Sequence, residues 1–231
     1  MPISAAFELP QITPHAREKL LIHAEKALRA EQEILAQPGH NILHYTLANQ
    51  KKYIKNLHYP KGDRINHATG AQYFYHCHRE DYEQEEHGHF HCFIRYLQIP
   101  KHIKPTPLSD WDKYINNPMT HLVAIAMNRH GKPIRLFTVN RWVTSEIWYD
   151  AKHTEALLTQ FNFDENQNNW KILDQWIEAL LQLFTPQIIW LREARDALIK
   201  TYPKNAYNNK KINELSTLSI NLEEQIQWIL G

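Results

Sequence analysis

The sequence predicts an α+β fold: a four-stranded antiparallel sheet, built from two hairpins, packed against helices from both ends of the chain. Two observations predict it. Short runs rich in aromatic and β-branched residues, separated by turn formers, fill residues 72–140. On either side, apolar residues recur instead at helical spacing. With 231 residues the chain can bury one ample core. A single domain over 1–231 is expected, with the sheet at 72–142 and a mostly helical part at 150–231.

The elements follow in order. Thr13-Pro14 is a helix start, with a hydroxyl cap and a proline in the first turn. Leu20, Leu21, Ala24, Leu28 and Leu35 then keep helical spacing until Gln37-Pro38-Gly39. A second helix is expected within 41–57. Residues 59–72, rich in Pro, Gly, Asp and Asn, read as a loop. Four strands are expected near 72–79, 88–97, 121–127 and 134–140. Residues 150–161 form a helix. Leu173, Trp176, Ile177, Leu180, Leu181 and Phe184 make the apolar stripe of the next. Thr185-Pro186 restarts a helix whose Arg192, Glu193, Arg195 and Asp196 read as a solvated charged face. Asn221 caps a last helix to about residue 230.

The chemistry concentrates at residues 72–95. Of fifteen histidines, five fall within sixteen positions: His76, His78, His87, His89 and His91. Side chains alternate along a strand, so His76 and His78 share one face of the first strand, and His87, His89 and His91 one face of the second. The expected register sets His78 opposite His89 and His76 opposite His91, followed by Phe74 with Phe93 and Gln72 with Arg95. Cys77 and Cys92 fall on the opposite face as free, buried thiols.

Clustered imidazoles point to a divalent metal ion, with zinc, iron or manganese as candidates. The expected ligands are His76, His78, His89 and His91, with His121 from the third strand. Glu86 and Glu80 border the patch, each as a ligand, a general base or an acceptor that fixes a histidine tautomer. Asp63 and His67 lie on the preceding loop, where an Asp more often forms a turn. Farther along the face, Gln72 and Arg95 would bind an anionic small-molecule substrate, or Arg95 would satisfy a buried carboxylate such as Glu146. Glu146 and Tyr149, after the fourth strand, are further catalytic candidates.

Net charge is +1, which gives no electrostatic footprint for nucleic acid or an anionic membrane. The N-terminus lacks a basic region followed by an apolar stretch, and the longest apolar run, near 122–127, cannot span a bilayer. A cytoplasmic protein is expected.

Three resemblances bear on function. His89-Phe90-His91 resembles the His-hydrophobic-His motif of HUH-type single-strand endonucleases. That likeness implies a cation held by paired histidines and a tyrosine nucleophile, for which Tyr149 with Lys152 has the spacing. His87-Gly88-His89-Phe90-His91 has the spacing of histidine-triad nucleotide hydrolases, which implies His89 as nucleophile; Gly88 departs from the expected hydrophobic residue. Over most of its length the chain resembles an uncharacterised bacterial family, a domain of unknown function. That likeness is carried by YPKGD (59–63), GAQYFYHCHR (70–79), EHGHFHCF (86–93), HLVAIAMNRHGKP (121–133) and RWVTSEIWY (141–149). The leading expectation is a metal-dependent enzyme, with a hydrolase favoured. A non-catalytic metal-binding or sensing protein is the alternative from a different class.

Overall fold

The structure is a computed structural model that describes residues 7–37, 40–47, 53–77, 85–116, 118–163, 169–203 and 206–231. Helix α1 (Pro14–Leu35) begins where its chemistry requires, with the Thr13 hydroxyl accepting from the Ala16 amide. Helix α2 (Ile42–Leu47) is short; residues 53–57 are not helical, and the rest of the expected second helix lies outside the described residues. Then come β1 (Tyr59–Ile65), β2 (Ala71–His76), β3 (Gly88–Arg95), β4 (Met119–Met127) and β5 (Pro133–Val139). Helices α3 (Arg141–Thr144), α4 (Thr154–Gln160), α5 (Lys171–Leu183) and α6 (Thr185–Lys200) follow. Strand β6 (Glu214–Ser219) and α7 (Leu222–Leu230) end the chain, and the Asn221 side chain caps α7 by accepting from the Glu223 and Glu224 amides.

The α+β architecture is as expected, but the sheet has six strands, not four. They form an antiparallel meander in the order β1-β2-β3-β4-β5-β6. Strand β1 occupies the stretch read as a loop. Its Pro and Gly are tolerated because it is an edge strand, and the five steps from Tyr59 to Arg64 face only two steps, from Tyr75 to Tyr73, across the ladder. Strand β6 lies in the part read as helical and pairs with β5, with Thr138 and Ser216 linked through their hydroxyls at 2.6 Å.

One face of the sheet carries the main core. Tyr73, Tyr75, Phe90, Cys92, Ile94, Val123 and Ile125 pack there with Ala27 and Ile34 of α1, Trp176 and Leu180 of α5, and Leu191 of α6. The α5 stripe is buried, as its spacing predicts. Each fully buried ring or large aliphatic side chain there contributes about 1.5–3 kcal/mol. Both cysteines are free and buried.

The charged cluster on α6 is not a solvated face. Arg192 and Arg195 are fully buried, at 0% and 1% exposure. Arg192 donates to the His121 and Tyr149 carbonyls, and Arg195 donates to the Tyr149 carbonyl at 2.7 Å while its guanidinium lies 3.8 Å over the Trp148 ring. Buried carbonyls need donors, and a guanidinium supplies several at once. No helix among the described residues is long and apolar enough to cross a membrane.

Candidate metal centre

The histidines lie on the opposite face of the same strands. In the observed register His76 pairs with His89, Phe74 with His91, and Gln72 with Phe93. The expected register is therefore displaced by two residues. An even displacement keeps every side chain on its face, so the histidine patch survives, whereas an odd one would have split it. On β4, Ala126 lies opposite His89 and Ala124 opposite His91, so their small side chains leave room for the rings. A bulge between Cys92 and Phe93 brings His121 opposite Phe93 and onto the same face.

His76, His89 and His91 form a cluster that could hold a metal ion, their ligand nitrogens all lying within 4.8 Å of one another. His76 Nε2 and His89 Nε2 are 2.7 Å apart. On its other side, His89 Nδ1 lies 2.8 Å from Glu86 Oε1. The carboxylate accepts from Nδ1–H, which leaves the His89 lone pair on Nε2, facing His76. Without a metal, one proton carried by His76 Nε2 satisfies both nitrogens; a metal would displace it.

Glu86 is itself held. Its Oε2 accepts from Arg135 Nη2 at 2.8 Å, and Arg135 Nη1 donates to Glu214 at 2.8 Å. Arg135 also lies 4.2 Å over the Phe137 ring, whose centroid is 5.0 Å from that of His89. Burial raises the Glu86 pKa, but hydrogen bonds from His89 and Arg135 outweigh it and hold the carboxyl below its ordinary value.

His91 Nδ1 lies 3.0 Å from His121 Nε2. Burial first, then the neighbouring His89, holds His91 well below the usual imidazole value. Burial, then Arg192 and Arg195, does the same to His121. Both rings are therefore neutral near pH 7, the form that ligates metals. His121 lies behind His91, outside the cluster of three.

The remaining sequence candidates are placed as follows. His78 and Glu80 lie outside the described residues. His87 departs from the patch: its Nδ1 lies 2.7 Å from the Tyr75 hydroxyl and its ring meets Tyr53 edge-on, on the helix side. Gly88 makes that crossing possible, since a Cβ there would fall 2.5 Å from the His76 carbonyl oxygen and 2.6 Å from the Tyr75 hydroxyl. Gln72 accepts from Arg95 Nη1 at 2.9 Å and donates to Asp63 Oδ2 at 2.7 Å. His67 sits exposed in the turn between β1 and β2, at the far end of the hairpin from His76. Glu146 is fully buried and accepts from the His121 amide at 2.7 Å and the Thr120 hydroxyl at 3.2 Å, and burial raises its pKa. Tyr149 packs in the helix-side core, with its ring beside that of His153.

Residues 22–220 match the model of a family described as a domain of unknown function (DUF6969). The chain belongs to that family. No curated protein and no solved structure matches the chain.

Sequence reasoning passed over His58, Arg135, Phe137 and Glu214. Alternation along β5 carried the signal for two of these, since Arg135 and Phe137 share a face by period two. No motif marks His58 or Glu214.

Proposed function

We propose that this family member is a metal-dependent enzyme whose ion is held by His76, His89 and His91. One observation carries the reading: three imidazoles converge on a rigid antiparallel sheet, and the Glu86 carboxylate fixes the tautomer of His89 from behind. Three protein ligands leave coordination positions for a reacting molecule, the pattern of catalytic sites. An all-imidazole set favours zinc or iron over manganese, which prefers carboxylate oxygen. When bound, such an ion polarises a carbonyl or phosphoryl oxygen, and hydrolysis is the favoured reaction class. Here His121 orients His91 and Glu86 orients His89, each as a positioning residue. Arg95, about 13 Å from His91 along β3 at strand rise and bonded to Gln72 of β2, offers a fixed cation to an anionic small molecule. Tyr149 and Glu146 serve the scaffold.

Elemental analysis of purified protein beside a His89→Ala/His91→Ala variant tests this. The expected result is about one metal per chain in the wild type and none in the variant. Wild-type protein empty after expression in metal-replete medium would overturn it.

One observation favours a non-catalytic metal-binding or sensing role instead: His89 and His91 are almost fully buried, at 6% and 3% exposure. The cobalt-substituted protein separates the two. Added azide changes the visible spectrum if a position is open and leaves it unchanged in a closed shell.

A further inference from the structure

The Nδ1 atoms of His89 and His91 are anchored, one by a carboxylate and one by an imidazole. A third ring near the same face repeats the carboxylate arrangement. His58 Nδ1 lies 2.8 Å from Asp63 Oδ1, the distance at which Glu86 holds His89. The His58 ring stacks 3.6 Å above Phe74, at an interplanar angle of 6°. Its edge meets the ring of His76, with centroids 6.0 Å apart.

The local backbone is built for this pair. Gly62 and Asp63 both adopt left-handed conformations, at φ 85° and 62°. Nothing crowds a Cβ at Gly62, so the conformation, not space, is what glycine serves there. Together with the irregular pairing between Tyr59 and Arg64, these turns fold Asp63 back onto His58. Asp63 is fixed from its other side: Oδ2 accepts from Gln72, which in turn accepts from Arg95.

Exposure is graded along these rings. The His58 side chain is 45% exposed, His76 is half-buried, and the His89 side chain is 8% exposed. We propose that His58, oriented by Asp63, is the entry ligand of the metal centre: it takes a divalent cation from solvent and hands it through His76 to the buried rings. The inference rests on the metal reading of His76, His89 and His91. It adds a fourth imidazole that acts during exchange and is absent from the resting ligand set. The transfer is ligand substitution alone: a bond from the cation to His58 Nε2 breaks as one to His76 forms, and no electron moves. Metal-ligating histidines almost always donate their other ring N–H to a carboxylate, a carbonyl or water, and His58 meets that pattern through Asp63.

Stopped-flow mixing of metal-free protein with Co²⁺, followed by the visible absorption of the bound ion, tests this. Both His58→Ala and His58→Phe are compared with wild type; the phenyl ring keeps the stack on Phe74 and removes both nitrogens. In both variants, uptake and chelator-driven release slow together by about tenfold or more, while the equilibrium affinity stays within about threefold. Asp63→Asn slows exchange less, because the imidazole remains but is no longer fixed. Wild-type exchange rates in the His58 variants overturn the inference. So does faster release with lost affinity, which would make His58 a resting ligand. Wild-type protein that takes up no cobalt overturns the metal reading itself, and this inference with it.

Discussion

The two faces of the central sheet are made by the same strands and do different work. On β3, Phe90, Cys92 and Ile94 point to the helices, while His89, His91 and Phe93 point away. The helix side is filled with apolar rings and branched side chains. The other side places imidazoles opposite alanines and ties them to Glu86 and His121. Burying an unpaired imidazole costs on the order of 1–3 kcal/mol. The histidine face is thus stable only where each ring has a partner, whereas the helix face is stabilised mainly by buried apolar area, with polar contacts such as that of the Tyr73 hydroxyl, which donates to Asp174. One face carries the apolar core and the other the three histidines that could hold a metal ion.

Four experiments press on that division. The largest effect is expected on the helix side. Phe90→Ala should lose about 3–5 kcal/mol in urea unfolding, with metal affinity preserved in the fraction that folds. A loss below about 1 kcal/mol would erase the distinction between the faces. Next is metal removal. A chelator should lower wild-type stability by about 3–4 kcal/mol when the ion had been held at 100 to 1,000 times its dissociation constant. The same treatment should leave His89→Ala/His91→Ala unmoved. Equal thermal shifts in both proteins would show that the stabilising ion sits elsewhere. Smaller again is Glu86→Gln. It keeps the shape but removes the charge that Arg135 and His89 share, so metal affinity should fall about 10–100-fold in a calorimetric titration. Unchanged affinity would mean that Glu86 does not orient His89.

What was legible in the sequence follows the same division. Alternation placed His76, His89 and His91 on one face and Cys92 on the other, because strand parity is a local property. Register is not local: it depends on the turn between strands, and the observed pairing differs from the expected one by two residues. Strand β1 was hidden because Pro60, Gly62 and Asp63 are residues that strands avoid, yet an irregular edge strand accommodates them. Arg192 and Arg195 look like surface charge at helical spacing. Their burial follows from the His121 and Tyr149 carbonyls, which meet α6 only in three dimensions. His58 is tied to Asp63 only five residues on, but its stacking on Phe74 depends on how β1 folds against β2 and is not legible in the sequence.

The smallest expected effect tests whether His23 shares the acid sensitivity of the histidine face. His23 lies on α1, and its Nδ1 is buried without a hydrogen-bond partner among the described residues. Burial first, then the nearby Lys26 charge, lowers its pKa below 6.5. The folded state therefore binds this proton less readily than the unfolded chain. Below the unfolded value the unfolded state holds more protons, so stability falls as pH drops through about 6.5 and levels off once the folded ring also protonates. One such group changes stability by at most about 1.4 kcal/mol per pH unit inside that window. His91 and His121 shift in the same direction, so metal-free wild type should lose stability through the same range. Subtracting the curve of His23→Gln isolates the share of this one ring; His87, also on the helix side and also lowered by burial, stays in both curves. Urea unfolding of both metal-free proteins at pH 7.5 and pH 5.5 reads it. The expected difference grows toward pH 5.5 and stays below about 1 kcal/mol, since His23 is only half-buried. Parallel curves would show that His23 adds nothing measurable to the acid sensitivity and would leave it to the other lowered histidines, His91 and His121 on one face and His87 on the other.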